Sequence, residues 1–484
     1  MGSMNFRRVA YMLGSLLMLE GVFILFAGLV SLLYYKEPGS DALFISALVA
    51  LFIGGVFNFF NRKSPKIIGK REGYLVVSLV WVVFSIFGSF PFWLSGFTDS
   101  YTDAFFEAMS GFTTTGASVI TDIEALPHGL LLWRSMTHFF GGIGILFLLI
   151  AILPVYGSGN MLLYQMESSG ALHGEKLIAR TQDLAKRLLL IYISLNVLLI
   201  IVLTLLGMSF FDSVCHGFGT IATGGFSTKN TNISLYSPLI QYSIALFSLI
   251  GGTNFTLIFM AFTRKFKKIF HDDEFRLYLS VAAISIIIVF YLFFKSGTSV
   301  EESVRSSVFH VSSILTSTGY TINSSINNWP PMVILIMSLL MLTGACAGST
   351  SGGFKFVRVL LLWRIIPAQI KKILHPRGVY AIRLNGANIK EEMLFKVLAF
   401  AVFYFVIIIS GTIFLMALNV DISTAISGTI SCLGNTGVGF GEISDSFNTL
   451  PYAGKWGCSF MMLIGRLELF SVLVLFTKGF WASN

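Results

Sequence analysis

Four times along this chain a Thr-Gly pair closes a short amphipathic stretch: "GFTTTGAS" (111–118), "GTIATGGF" (219–226), "ILTSTGYT" (314–321) and "CLGNTGVG" (432–439). Aligned on Thr115-Gly116, Thr223-Gly224, Thr318-Gly319 and Thr436-Gly437, they repeat roughly every one hundred residues, and repetition on that scale constrains architecture before any other feature. Each copy has the same surroundings. A long apolar run comes first, followed by "DAFFEAMSGF", "FDSVCHGFGTI", "SVRSSVFHVSSIL" or "ISTAISGTISCL", then the Thr-Gly, a polar loop and a second apolar run. Crossing a bilayer takes about 20 residues, so the short segments read as re-entrant half-helices.

The apolar runs decide the solvent. The chain is 55% hydrophobic and only 12% charged, where a soluble domain carries about twice that charge. Runs such as "LLLIYISLNVLLIIVLTLLG" are long enough to span, and the short alternating segments of a barrel are absent from the sequence. The expected fold is an all-α integral membrane protein. Four pseudo-repeats of outer helix, half-helix, loop and inner helix surround one axis, preceded by two extra spans near 10–34 and 41–60. The expected layout is ten full crossings and four half-helices. Its units are 1–73 (the extra spans and a loop), 74–156, 183–263, 274–364 and 392–482.

Charge placement orients the chain. Most of the 33 lysines and arginines fall at the N-terminus, in the loops near 61–73, 157–187, 264–276 and 355–396, and at Lys478. That asymmetry marks the cytoplasmic side and puts both termini inside. The same asymmetry argues against nucleic acid as the partner of a +9 chain. The opposite side holds a few bases, including Lys36, Lys229 and Lys455. It is rich in acids: Asp99, Asp103, Asp122, Glu124, Glu301, Glu302, Glu442 and Asp445, which would favour cations at an entrance. Cys215, Cys346, Cys432 and Cys458 are scattered without metal-ligand spacing and read as apolar packing. The opening "MGSM" reads as a non-native leader before Met4; Phe6 stands where myristoylation needs Ser or Thr, and the first apolar run is too long for a cleavable signal peptide.

Glycine favours irregular backbone, which hydrocarbon does not tolerate unless it is buried or lines a water-filled path. Four such loops meeting on an axis can point successive carbonyls inward and replace the water around a monovalent cation. The C-terminal ends of the half-helices, each carrying about half a negative charge, would aim at the same point. Candidate ion-binding residues, through their backbone, are Thr114, Thr115 and Gly116; Ala222, Thr223 and Gly224; Ser317, Thr318 and Gly319; and Asn435, Thr436 and Gly437. A second irregular stretch, "GACAGSTSGG", comprises Gly344, Ala345, Cys346, Ala347, Gly348, Ser349, Thr350, Ser351, Gly352 and Gly353. It interrupts the third inner segment, where a helix must break. It is either a close-packed kink or a loop inside the membrane below the ion site. The other inner segments have only "GGIG" (141–144), "GGTN" (251–254) and "IGRL" (464–467) at the matching depth, which favours a special role for the third.

The four-repeat layout, the glycine in each loop and the closing "LIGRLELFSVLVLF" resemble the Trk/Ktr/HKT superfamily of potassium transporters, and the two extra N-terminal spans resemble its bacterial TrkH branch. The resemblance covers residues 7 to 481. It implies that Gly116, Gly224, Gly319 and Gly437 are selectivity-filter glycines and that K+ is the substrate, with no organic cofactor in the chain. Family members with Ser in the first loop tend to carry sodium, so Gly116 implies the potassium-permeable type. Only the last loop comes close to the TVGYG pattern of potassium channels; the other three depart from it, which implies fewer ion sites and weaker selectivity. The resemblance further implies that the 344–353 loop is a gate. It implies a homodimer in the bacterial inner membrane, among its lipids, with a cytosolic nucleotide-binding subunit of the TrkA type on its cytoplasmic face.

Other motifs carry less. "GVGFGE" (437–442) has the wrong glycine spacing for a dinucleotide site and lacks a βαβ unit, and "GACAGSTSGG" lacks the G-K-[ST] ending of a phosphate loop. No nucleophile–base pair, H-E-x-x-H or Cys/His cluster suggests an enzyme. Arg466 is the one base read as deep within a span. Structurally it can pair with Glu468 or with carbonyls of the broken helix; functionally it can stand beside the pore as an electrostatic barrier and an anchor for the gate loop. His138 reads as a packed or capping histidine. Two transport modes stay open: a channel-like pathway and an ion-coupled (proton or sodium) symporter. Parallel repeats with few midplane ionisable groups favour the channel.

Overall fold

The computed structural model describes residues 4–35, 37, 40–64, 69–152, 174–322 and 326–481. Residues 1–3, Lys36 and most of the basic loop expected over 157–187 lie outside the described residues. Among those described, the protein is all-α except for one small hairpin, Arg383–Leu384 paired antiparallel with Ala387–Asn388.

Two N-terminal helices, Phe6–Val30 and Ser40–Asn61, form a tight antiparallel pair. Glycines let their backbones touch: a Cβ at Gly54 would sit 2.7 Å from the Gly14 carbonyl oxygen, and one at Gly14 would sit 2.8 Å from that of Gly54. In lipid this close approach is a main source of helix association.

The rest of the chain runs through one pattern four times. The outer helices are Lys70–Gly88, Gly174–Leu205, Asp273–Lys295 and Glu391–Ala417. Each leads to a short helix: Tyr101–Phe112, Phe210–Ile221, Val300–Leu315 and Ile422–Gly434. At 12 residues, the first two reach about 18 Å, half-way across a bilayer. Every short helix starts on a polar N-cap. Ser100, Ser209, Ser299 and Asp421 accept from the N–H of Asp103, Asp212, Glu302 and Ser423, each cap contributing about 1 kcal/mol. Acids in the first turn of the first three suit the positive end of the helix dipole.

The inner segments differ from the expectation. Among the described residues six single helices are long and apolar enough to span, and the second and fourth inner segments are bent pairs, Pro238–Gly251 with Phe255–Phe262 (104°) and Tyr452–Arg466 with Phe470–Phe476 (107°). The first inner helix, His128–Ile152, and the divided third, Pro331–Thr343 with Phe356–Leu374, complete the ten crossings. A break is therefore not peculiar to the third segment. "GGTN" and "IGRL" each end a helix at a sharp corner, where Asn254 caps the next helix and Glu468 and Leu469 adopt φ of 54° and 53°. What distinguishes the third segment is the length of its interruption, from Gly344 to Lys355.

Candidate functional site

Each short helix ends in the same sequence of backbone states. Thr114, Thr223, Ser317 and Asn435 take left-handed φ between 50° and 55°. The next residue returns its N–H to the helix end: Thr115 to Ser110 O, Gly224 to Gly219 O and Thr318 to Ser313 O, all at 2.8 Å, and Thr436 to Ser431 O at 2.9 Å. The residue after that is again left-handed, and it is glycine in all four loops: Gly116, Gly225, Gly319 and Gly437, with φ from 78° to 83°.

This pattern corrects the register of the second loop. Gly225, not Gly224, stands in the place of Gly116, Gly319 and Gly437, and Gly224 stands in the place of Thr115, Thr318 and Thr436. The letters "ATGG" align on Thr223-Gly224, but the chain needs its left-handed glycine one residue later.

The four glycines close a ring. A Cβ on Gly116 would lie 2.0 Å from the carbonyl oxygen of Gly224, one on Gly225 2.0 Å from that of Thr318, one on Gly319 2.0 Å from that of Thr436, and one on Gly437 2.2 Å from that of Thr115. Each loop thus packs its bare Cα on the carbonyl of the next. Around this ring, hydroxyls brace the strands. Thr113 Oγ1 and Thr115 Oγ1 are 2.8 Å apart, Thr316 Oγ1 and Thr318 Oγ1 are 2.7 Å apart, and Asn435 Nδ2 donates to Thr115 Oγ1 at 3.0 Å. The second loop has no hydroxyl at Gly224; the imidazole of His138 fills that space, 2.6 Å from where a Cβ would be. His138 Nδ1 donates to Gly111 O at 2.8 Å, and its Nε2 accepts from Phe226 N–H at 3.1 Å. It is packed, as expected, and it also joins the first short helix to the second loop.

Behind the loops lie buried ion pairs that sequence reasoning missed. Glu107, fully buried in the first short helix, accepts from Arg134 Nε at 2.6 Å, from Ser118 Oγ at 3.0 Å and from Val119 N–H at 3.0 Å. Arg134 also donates to Ser227 O at 2.9 Å and covers the Phe226 ring at 3.4 Å. Lys455 Nζ donates to Asp103 Oδ1 at 2.6 Å, tying the last inner helix to the first short helix. Asp103 and Lys455 are buried with each other and do not belong to the outer surface. The other acids read as that surface, Asp99, Asp122, Glu124, Glu301, Glu302, Glu442 and Asp445, are exposed.

The 344–353 loop lies directly against the left-handed residues at the loops' base. Thr350 Oγ1 is 3.3 Å from Thr223 Oγ1 and donates to Ile221 O at 2.9 Å. Ser351 Oγ meets Ser317 Oγ at 2.9 Å, and Gly352 N–H donates to Ser317 Oγ at 2.9 Å. A Cβ on Gly352 would strike Gly434 O and Asn435. Lys355, with φ of 76°, donates its Nζ to Ser351 O.

Arg466 is 1% exposed and reaches this loop. Nη1 donates to Thr350 O at 2.6 Å and Nη2 to Gly141 O at 2.8 Å. Of the two structural partners expected for it, carbonyls hold it and Glu468 does not; Glu468 pairs with Arg358 at 2.5 Å. Nor is Arg466 the one deep base, since Arg134, Lys355 and Lys455 are also buried. The four cysteines are buried and free. Among the described residues no group of His, Cys, Asp and Glu is arranged to hold a metal ion, so a cation here would meet carbonyl and hydroxyl oxygens.

The family profile described as "TrkH: Cation transport protein" matches residues 39–482. Among curated relatives, the chain is 38% identical over 483 residues to the Trk system potassium uptake protein TrkH of Escherichia coli (strain K12), covering 99% of this chain and 100% of that one. It is 33% identical over 487 residues to the Trk system potassium uptake protein TrkG of the same strain, covering 100% of both. It is similar along 99% of its length to the whole chain in the crystal structure of the potassium transporter TrkH from Vibrio parahaemolyticus, with a TM-score of 0.91 and 34% identity.

Proposed function

Because the chain belongs to the TrkH family of cation transport proteins, we propose that it takes up potassium through a channel-like pore whose selectivity filter is the backbone of its four loops. It is a multi-pass membrane transporter and not an enzyme, and K+ is its substrate. The observation that carries the filter reading is the closed ring of four left-handed glycines, each seated on the next loop's carbonyl. Carbonyls held at fixed spacing with no side chain between them replace an ion's hydration shell without reorganising. The 344–353 loop, pressed on the base of that ring, is the gate, and Arg466 is its anchor and a local barrier to cations. By family likeness the protein is a homodimer in a bacterial inner membrane with both termini cytoplasmic, and a nucleotide-binding subunit of the TrkA type docks on the cytoplasmic face.

One observation favours the coupled alternative. Glu20, in the first N-terminal helix, is 3% exposed, and neither carboxylate oxygen has a hydrogen-bond partner among the described residues. It lies beside Gly88, whose other close neighbour is the Phe112 ring at the end of the first short helix. An intramembrane carboxyl of this kind is suited to carry a proton.

Electrical recording of the purified protein in planar bilayers separates the two. A channel gives currents that reverse at the potassium equilibrium potential whatever the pH gradient. Net potassium movement against its own electrochemical gradient, driven by a proton or sodium gradient, would establish coupled transport instead.

A further inference from the structure

The third outer helix begins with three acids, Asp272, Asp273 and Glu274, that face in two directions. The first two hold the cytoplasmic hairpin. Asp272 caps the helix, accepting from Phe275 N–H at 2.8 Å, and its other oxygen accepts from Asn385 Nδ2 at 2.8 Å. Asp273 Oδ2 accepts from Asn385 N–H at 2.9 Å and from Arg364 Nη1 at 2.9 Å, while the Asp273 N–H donates to Asn385 Oδ1 at 2.8 Å. Asn385 sits in the hairpin turn at φ 50°, so this turn is bonded to the helix start through its backbone and both ends of its amide.

Glu274 points the other way. It is buried, and its single oxygen Oε1 accepts from Ala347 N–H at 2.6 Å and from Val357 N–H at 2.9 Å. Ala347 lies inside the interrupting loop and Val357 in the first turn of the helix that follows it. One carboxylate oxygen therefore ties the gate loop to the start of the helix that follows it. The hairpin also packs on the helix that follows that loop. Ile382, Leu384 and Ile389 pack with Leu360 and Leu361, and Arg364 donates to Arg383 O.

We infer that Glu274 is a positioning residue for the gate loop and that the hairpin around Asn385 is the lever that sets it. The inference rests on reading 344–353 as a gate. Three consecutive residues at one helix start move as a unit, so a displacement of the exposed hairpin turn carries the Glu274 carboxylate with it. The loop then loses the acceptor that folds it under the filter. This is a contiguous hydrogen-bonded route from the cytoplasmic surface to the pore, with a discrete made or broken state at each end.

The test is rubidium flux into liposomes containing the purified full chain, normalised to folded protein, with the potassium-to-sodium ratio measured alongside. Asn385→Ala and Glu274→Ala are each expected to raise flux several-fold with the ratio unchanged. Asn385→Asp, which sets a third negative charge beside Asp272 and Asp273, should raise it further. Glu274→Gln, whose amide oxygen can accept the same two N–H groups, should return flux most of the way to the parent; a purely structural side chain would change yield and not flux per folded molecule. The double variant Asn385→Ala/Glu274→Ala should exceed neither single, because both act on one route. Additive singles, or parental flux in both Asn385 variants, would overturn the lever. The Asn385 arms decide this even if Glu274→Ala does not fold. Shortening 344–353 serves as the control for the gate itself. If that deletion raises flux while the Glu274 and Asn385 variants do not, the lever alone is wrong; if the deletion leaves flux unchanged, the gate reading falls and this inference with it.

Discussion

Gly116 lies so close to the carbonyl oxygen of Gly224 that a Cβ on it would sit 2.0 Å away. Two constraints coincide there. The backbone is left-handed, with φ of 83°, and the space a side chain would enter is taken by the atom proposed to face the ion. Gly116→Ser is expected to push the second loop outward, replace a fixed carbonyl with a mobile hydroxyl, and lower the potassium-to-sodium flux ratio. Gly225→Ser should do the same through Thr318 O, because Gly225 holds the equivalent place. Competitive rubidium and sodium uptake in liposomes measures both. An unchanged ratio in the two variants would count against the carbonyl ring.

Gly224 makes a separate prediction, because its missing side chain is replaced by the ring of His138. His138→Ala should leave Phe226 N–H unpaired, while Gly111 O keeps the N–H of Thr114, and open a gap behind the second loop, reducing selective flux. Leaving a buried group unpaired costs about 1–3 kcal/mol. Gly224→Thr alone should collide with the imidazole. Combined, Gly224→Thr/His138→Ala removes that collision and sets a threonine where the first and third loops carry Thr115 and Thr318, although Ala222 gives it no hydroxyl partner of the kind Thr113 and Thr316 supply. The double variant is expected to conduct better than either single, a positive coupling that a double-mutant cycle of flux measures. Simple additivity would show that His138 does not stand in for the missing threonine.

Most of the architecture was legible because its determinants are local. The half-helices show in the short amphipathic stretch between an apolar run and each Thr-Gly pair, to which the structure adds the caps at Ser100, Ser209 and Ser299. The loops announce themselves through glycine in a context where glycine is costly. What escaped depends on partners distant in sequence. Asp103 and Lys455 look like surface charges when read singly, and only the fold brings residues 352 positions apart to 2.6 Å. The register of the second loop escaped for a related reason. "ATGG" offers two glycines, and the choice between them is made by His138, which belongs to another helix. The corners at 252–254 and 467–469 escaped because each turns within a few residues: Asn254 caps the helix after the first, and Glu468 and Leu469 take left-handed φ at the second, a conformation their residue types do not announce.

The Glu107–Arg134 pair should set the stability of the half of the protein around the first two short helices. Arg134 links the first short helix to the stretch after the second loop through Ser227 O and the Phe226 ring. Removing one member of a buried pair strands the other charge, at a cost of roughly 3–5 kcal/mol. Glu107→Ala and Arg134→Ala are each expected to lower the unfolding temperature in detergent. Glu107→Gln, which keeps an acceptor for Val119 N–H, should lower it less. Thermal unfolding followed by circular dichroism is the measurement. If Glu107→Ala melts with the parent, the pair is not holding this half together.

Arg466 joins the 344–353 loop to the first inner helix, the contact on which its proposed gating role rests. Its two terminal nitrogens bond different partners, Thr350 O in the loop and Gly141 O in the helix, so the guanidinium spans the gap between them. It is buried and charged whatever the pH of the cell, and its charge opposes a cation passing nearby. Arg466→Ala removes the tether and the charge together and should raise rubidium flux per folded protein most. Arg466→Gln removes the charge and keeps one short donor group, so it should raise flux less. Arg466→Lys keeps the charge, but its single ammonium cannot reproduce the planar fork that reaches both carbonyls, so its rise should be the smallest of the three. That order separates the two contributions: a barrier without a tether predicts Lys equal to the parent, and a tether without a barrier predicts Gln close to Lys. Flux in Arg466→Ala at or below the parent, in protein that elutes and melts as a folded species, would show that the arginine only holds the inner helices together.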